Sequence, residues 1–114
     1  MLLIYDNEKA WETRSESEGE ELMRGYYAFT EEVRGSGRHQ GGAPLQSAAT
    51  ATTVRVRDGA TSITDGPFAE TKEQLGGYYI VDCNDIDEAI EIAARIPGAK
   101  YGSIEVRPIA ELPG

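Results

Sequence analysis

The segment 15–35 constrains this chain more than any other, because it places an apolar side chain on the same face at every turn of a long helix. Leu22, Tyr26, Phe29 and Val33 recur at i, i+4, i+7 and i+11 and draw one stripe. Met23 and Tyr27 are expected to widen it. Ser15 and Ser17 are candidate caps, and Glu16, Glu18, Glu20 and Glu21 put negative charge at the positive end of the helix dipole. Gly35-Ser36-Gly37 ends the helix. A helix with a single apolar face needs a second layer to lie on, and the rest of the chain must supply it.

That layer reads as a sheet. Leu2-Leu3-Ile4-Tyr5 is a short apolar run stopped by Asp6-Asn7, which suits a buried strand. Trp11 follows alone in a polar linker. Arg38 to Pro44 is glycine-rich but stands where a return strand is needed, and Gln46 to Ala51 reads as loop. Thr52 to Arg57 alternates with a period of two, as a half-buried strand does. Asp58-Gly59 then signals a hairpin turn, with Ala60 to Thr64 as the returning partner. Tyr78 to Asp82 is a further strand, rich in aromatic and β-branched residues. Asn84 or Asp85 caps a second helix running to Ile96, with Ile86, Ala89, Ile90 and Ala93 as its expected stripe and Pro97-Gly98 as its stop. Ser103 to Arg107 alternates again. The order β-α-β, hairpin, β-α-β predicts an α+β fold, a ferredoxin-like β-α-β-β-α-β sandwich with an extra hairpin. Two helices cover one face of such a sheet. The other face is left for a ligand or a second copy.

Composition narrows the partners. The 114 residues make one domain, with a net charge of −9 from 20 acidic and 11 basic side chains. Nucleic acid and anionic membrane surfaces both require clustered Lys and Arg, and here the basic residues are scattered among carboxylates. The single cysteine, Cys83, allows no internal disulfide. With no basic neighbour in sequence, it reads as a small packing residue rather than a nucleophile. The opening apolar run is too short for a signal peptide or a membrane span, so a soluble, cytoplasmic chain is expected. No His or Cys spacing suits zinc, no Gly-x-Ser-x-Gly elbow or phosphate loop occurs, and Gly41-Gly42 alone is no nucleotide signature. Neither metal nor cofactor is expected.

The richest stretch chemically is Thr64-Asp65-Gly66-Pro67-Phe68-Ala69-Glu70-Thr71-Lys72-Glu73-Gln74-Leu75-Gly76-Gly77. It sets a turn, a carboxylate, an aromatic ring and alternating charges between two strand-like segments. Together with Ala51-Thr52-Thr53-Val54-Arg55-Val56-Arg57-Asp58-Gly59 and Tyr78-Tyr79, it resembles the DGPF-type branch of the YCII-related proteins. Tyr5 in the first strand, Tyr26-Tyr27-Ala28-Phe29 and Gly102 to Pro108 resemble that family too, so the likeness spans nearly the whole chain. The resemblance implies a dimeric α/β barrel, in which two ferredoxin-like sheets face each other and enclose pockets. Relatives of that barrel include small-ring isomerases and dehalogenation-associated proteins. The resemblance also implies a link to extracytoplasmic-function sigma factors. Many YCII-like proteins carry a His on the first helix and an Asp near the following loop. Here Tyr26 stands where that His would be, and the one histidine, His39, comes after the helix.

Each candidate side chain has two readings. Asp65 is either a pocket carboxylate acting as base or ligand contact, or a turn residue bonding its own backbone. Gly66 and Pro67 set backbone shape, and Phe68 either anchors the loop in the core or stacks on a ligand. Glu70, Lys72 and Glu73 form a solvated or interfacial charge cluster, or contact an ionic ligand. Tyr5, Tyr26 and Tyr27 either pack with satisfied hydroxyls or act as pocket donors, and His39 is a surface residue or a group titrating near neutrality. Two functions stay open. The first is a non-catalytic homodimeric module of regulatory or stress-linked role with a small-molecule pocket. The second is a cofactor-free enzyme performing acid–base chemistry on a small polar or aromatic acid, with Asp65, Tyr26 and His39 as its catalytic groups and Tyr5, Gly66, Pro67, Phe68, Glu70 and Lys72 around the ligand.

Overall fold

The long helix begins where its serine cap stands. In the computed structural model, which describes residues 1–113, Ser15 Oγ accepts the Glu18 backbone N–H at 3.2 Å. Along the chain the elements are β1 (Leu2–Asp6), α1 (Glu8–Thr13), α2 (Glu16–Gly35), β2 (His39–Pro44), β3 (Thr52–Arg57), β4 (Ala60–Asp65), β5 (Gln74–Val81), α3 (Ile86–Ala94) and β6 (Ser103–Val106), with single 3-10 turns at Ala48–Thr50 and Pro97–Lys100. The expected ferredoxin-like order is therefore present. Trp11 departs from its expected linker, because Asn7 caps a short helix there by accepting the Lys9 N–H.

β2, β5, β1 and β6 lie side by side in that order, every neighbouring pair antiparallel. Strand alternation sorts their side chains. Leu2 joins Phe29, Val33, Ile92, Ala93 and Ile96 in the core, and Ile4, Tyr79, Val81, Ile104 and Val106 pack against that cluster. Leu3, Tyr5, Tyr78 and Ile80 alternate with them and point to the face away from the helices. Cross-strand register aligns Ala43, Tyr78, Leu3 and Glu105 in one row of that open face. Leu75, Tyr5 and Ser103 form the next row, after a register shift between Ile4 and Tyr5.

Both helices correct their expected stripes. Met23 and Tyr27 do not widen the buried face of α2 but stand exposed beside it. In α3 the buried residues are Ala89, Ile92 and Ala93, while Ile86 and Ile90 are exposed. Ile86/Ala89/Ile90/Ala93 and Ala89/Ile92/Ala93/Ile96 are equally good helical stripes, and contact with Leu2 and Phe29 selects the second.

The hairpin is separate. β3 and β4 pair only with each other, from Thr52 opposite Asp65 to Arg57 opposite Ala60. Asp58 (φ 51°) and Gly59 (φ 78°) both adopt left-handed backbone, as a two-residue turn matched to strand twist requires. All of β4 is exposed, and so is all of β3 except Thr53, which corrects the half-buried expectation. A period of two says that the two faces of a strand differ. It does not say that either is covered within the same chain. The projecting hairpin gives the chain a radius of gyration of 16.4 Å, against about 13 Å for a compact domain of this length.

Candidate functional site

The Asp65–Phe68 turn is held to the hairpin by three hydrogen bonds. Gly66 N–H donates to Ala51 O at 2.7 Å, Thr53 Oγ1 donates to Gly66 O at 2.8 Å, and Arg55 Nη2 donates to Phe68 O at 3.4 Å. Gly66 sits at φ +98°, a conformation that a side chain disfavours. Asp65 does not bond its own turn. Its carboxylate has no hydrogen-bond or ion-pair partner among the described residues. Phe68 is 79% exposed, so the expected core anchor is not made within this chain. Pro67, Glu70 and Lys72 are likewise exposed.

The second half of the stretch is framework. Thr71 Oγ1 donates to Glu73 O and Gln74 Nε2 to Thr71 O, each at 2.5 Å, while Gln74 Oε1 accepts the Glu8 N–H at 3.0 Å. Ser103 Oγ donates to Glu73 Oε1 at 2.9 Å. These bonds fasten the start of β5 to α1 and β6. Strands also claim more of the stretch than a loop reading allows, since Gln74 to Gly77 belong to β5.

The three acid–base candidates lie on different parts of the fold. Tyr26 packs on the core side, and a Cβ added at Gly98 would come within 2.5 Å of its hydroxyl. Burial pushes its phenol above the ordinary value of 10.0, opposed by the favourable backbone N–H of Gly98. His39, on the edge strand β2, lies edge-on to Tyr79 with ring centroids 6.2 Å apart, and Tyr79 Oη bonds Thr30 Oγ1 at 2.8 Å. Asp65 closes β4 in the separate hairpin. No hydrogen bond joins any two of the three among the described residues. Tyr5 belongs to the open sheet face, between Leu75 and Ser103. Cys83 is partly buried, and desolvation together with the nearby Glu88 raises its thiol pKa, which leaves it a poor nucleophile.

One cluster carries no sequence motif. Arg14 Nη2 lies 3.4 Å from Asp6 Oδ2, with both side chains largely buried. Its guanidinium stacks on Trp11 at 4.5 Å and on Tyr101 at 4.7 Å. Arg14 Nη1 is buried without a hydrogen-bond partner. Asp6 and Arg14 are eight residues apart and Tyr101 is far along the chain, so only α1 and the Pro97–Lys100 turn bring them together. A shallow groove of about 530 Å³ runs past Trp11, Glu16, Glu20, Met23 and Tyr27, and another of about 600 Å³ lies between α2 and the end of α3. Neither is lined by Asp65, Tyr26, His39 or Tyr5. Among the described residues no group of three or more His, Cys, Asp and Glu is placed to hold a metal, and no helix is long and apolar enough to cross a membrane.

Comparison with known proteins finds one family and one relative of similar length. The model of the YCII-related domain matches residues 1–113. An uncharacterised protein of Rhizobium meliloti (strain 1021) is 40% identical over 111 residues, which cover 96% of this chain and 90% of that protein.

Proposed function

The chain belongs to the YCII-related family, and from that premise we propose that it works as a non-catalytic homodimeric module whose open sheet face receives a second copy. The observation that carries this reading is the composition of that face. Leu3, Tyr5, Leu75, Tyr78 and Ile80 sit in adjacent rows of the sheet, opposite the two helices. Leu75 is exposed and the other four are half-buried, with Glu105 and Ser103 at the ends of the rows, and apolar patches of this kind rimmed by polar side chains mark interaction surfaces. Asp65, Tyr26 and His39 stand on three elements with no bond between them, which favours a module over an acid–base enzyme confined to one chain.

Sedimentation equilibrium tests the reading. The protein should sediment at twice the chain mass, and Leu3→Glu should shift it to the chain mass while the circular dichroism of the fold is kept. A wild type that stays monomeric at tens of micromolar overturns the proposal.

A second reading rests on Arg14. A guanidinium held between two aromatic rings, with one buried N–H group unpartnered, is suited to the carboxylate of a small aromatic acid once Trp11 or Tyr101 swings aside. Benzoate and related carboxylates should then raise the melting temperature of the wild type and leave Arg14→Gln unmoved. Equal shifts in both proteins would remove this reading.

A further inference from the structure

Resting on the dimer proposed above, we infer that the β3–β4 hairpin is an exchanged arm. Its apolar face is covered by the second copy, to which it carries the Asp65–Phe68 turn, so that each site is built from two chains.

The hairpin has one apolar face, and among the described residues its strands pair with no other element. Val54 pairs with Ile63 across the ladder and Val56 follows two residues on, so the three side chains lie together. They are 59%, 70% and 58% exposed respectively. A lone two-stranded ribbon is marginal in water and becomes stable when a face is packed.

The exposed area says how large the cover is. The chain exposes 8265 Å², whereas a compact monomer of its mass exposes roughly 6,100 Å². The excess of about 2,000 Å² is more than a standard interface takes from each partner, roughly 800 Å², and falls in the range of obligate homodimers. An interface of that size takes in the arm as well as the sheet.

Charge is compatible with a second copy as the occupant that this area calls for. The hairpin carries Arg55 and Arg57 against Asp58 and Asp65, and neither arginine forms an ion pair among the described residues. The whole chain has a net charge of −9 and this neutral arm carries none of it, so its two unpaired arginines can meet carboxylates of another copy without adding like-charge repulsion. The turn travels with the arm, because Gly66 and Phe68 are bonded to Ala51, Thr53 and Arg55. Asp65, with no partner among the described residues of its own chain, and the exposed Phe68 are thereby delivered to the other copy, whose Tyr5 and Tyr78 occupy the receiving face.

Two measurements test the arm. Val54→Asp/Ile63→Asp should weaken dimerisation by about a hundredfold or more, since two apolar anchors become buried charges. The milder Val54→Thr/Ile63→Thr, which keeps strand propensity, should weaken it by about tenfold. An unchanged dimer constant in both variants overturns the arm and leaves the sheet-face dimer standing, whereas a monomeric wild type overturns both. In mixed dimers of an isotopically labelled chain and an Asp65→Cys/Cys83→Ser chain carrying a spin label, the amides of Tyr5 and Tyr78 in the labelled chain should broaden. Amides left sharp while the dimer is intact show that the turn stays on its own copy, and overturn the two-chain site.

Discussion

In β5, Tyr79 meets Phe29 edge to face with ring centroids 5.2 Å apart, and Val81 packs on the same buried cluster. In β3, Val54 and Val56 occupy the same kind of alternating positions but stay exposed, in a strand that among the described residues pairs with β4 alone. Both strands obey one backbone rule, yet one is anchored by helices and the other by its hairpin partner alone. Strand formation and strand burial are thus separate outcomes. The first follows from local pattern and turn chemistry, and the second depends on what the fold places opposite. Where a chain makes a strand and supplies nothing to cover it, the cover is sought in another molecule.

The sharpest way to break this comparison is to cut into each region in turn. Phe29→Ala removes a ring from the core and should cost about 3–5 kcal/mol, read by urea unfolding. A loss under about 1.5 kcal/mol would mean that the helix–sheet layer is not the stable half of the molecule. Gly66→Ala forces a side chain into left-handed backbone and should cost about 1–2 kcal/mol, felt by the turn and the dimer more than by the core. Asp85→Ala removes the oxygen that accepts the Glu88 N–H at 2.9 Å at the start of α3, and should cost about 1 kcal/mol in the same assay. Ile63→Thr in dilute, monomeric protein should change stability by no more than about 0.5 kcal/mol, as at an uncovered surface site. A larger loss there would show that the hairpin is packed within its own chain.

Tyr26 separates the two regions by pH. Its phenol is raised above 10.0 in the folded chain by burial. Above that pH the unfolded chain loses the proton first while the folded chain still holds it, so stability is full below pH 10 and falls as pH rises through the folded value. Tyr26→Phe should flatten this alkaline loss in thermal melts. The hairpin holds no tyrosine and should contribute nothing to the change.

Much of the frame was legible from residues alone. Ser15, the Leu22–Val33 stripe and Gly35 mark α2 to within a residue, and Asp58-Gly59 marks the hairpin because only left-handed backbone closes so tight a turn. The faces were less legible. Met23 and Tyr27 extend the apolar stripe in sequence but stand exposed beside the buried face, and α3 offers two equivalent stripes. Asp65 and Phe68 were found by their turn chemistry, while their exposure follows from the hairpin's standing apart from the four-stranded sheet. Arg14 had no signal, since its partners Asp6, Trp11 and Tyr101 meet only through the fold. Single-chain patterns report what a strand or helix prefers, and they are silent on which neighbour arrives.

The central claim, that the hairpin is held by a second copy, is tested most directly by amide hydrogen exchange as a function of protein concentration. The amides of β5 and α2 should be protected at every concentration. Those of Val54, Val56 and Ile63 should be protected where the protein is dimeric and exchange freely on dilution to the monomer. Equal hairpin exchange at both concentrations, with the dimer confirmed at the higher one, would contradict the account.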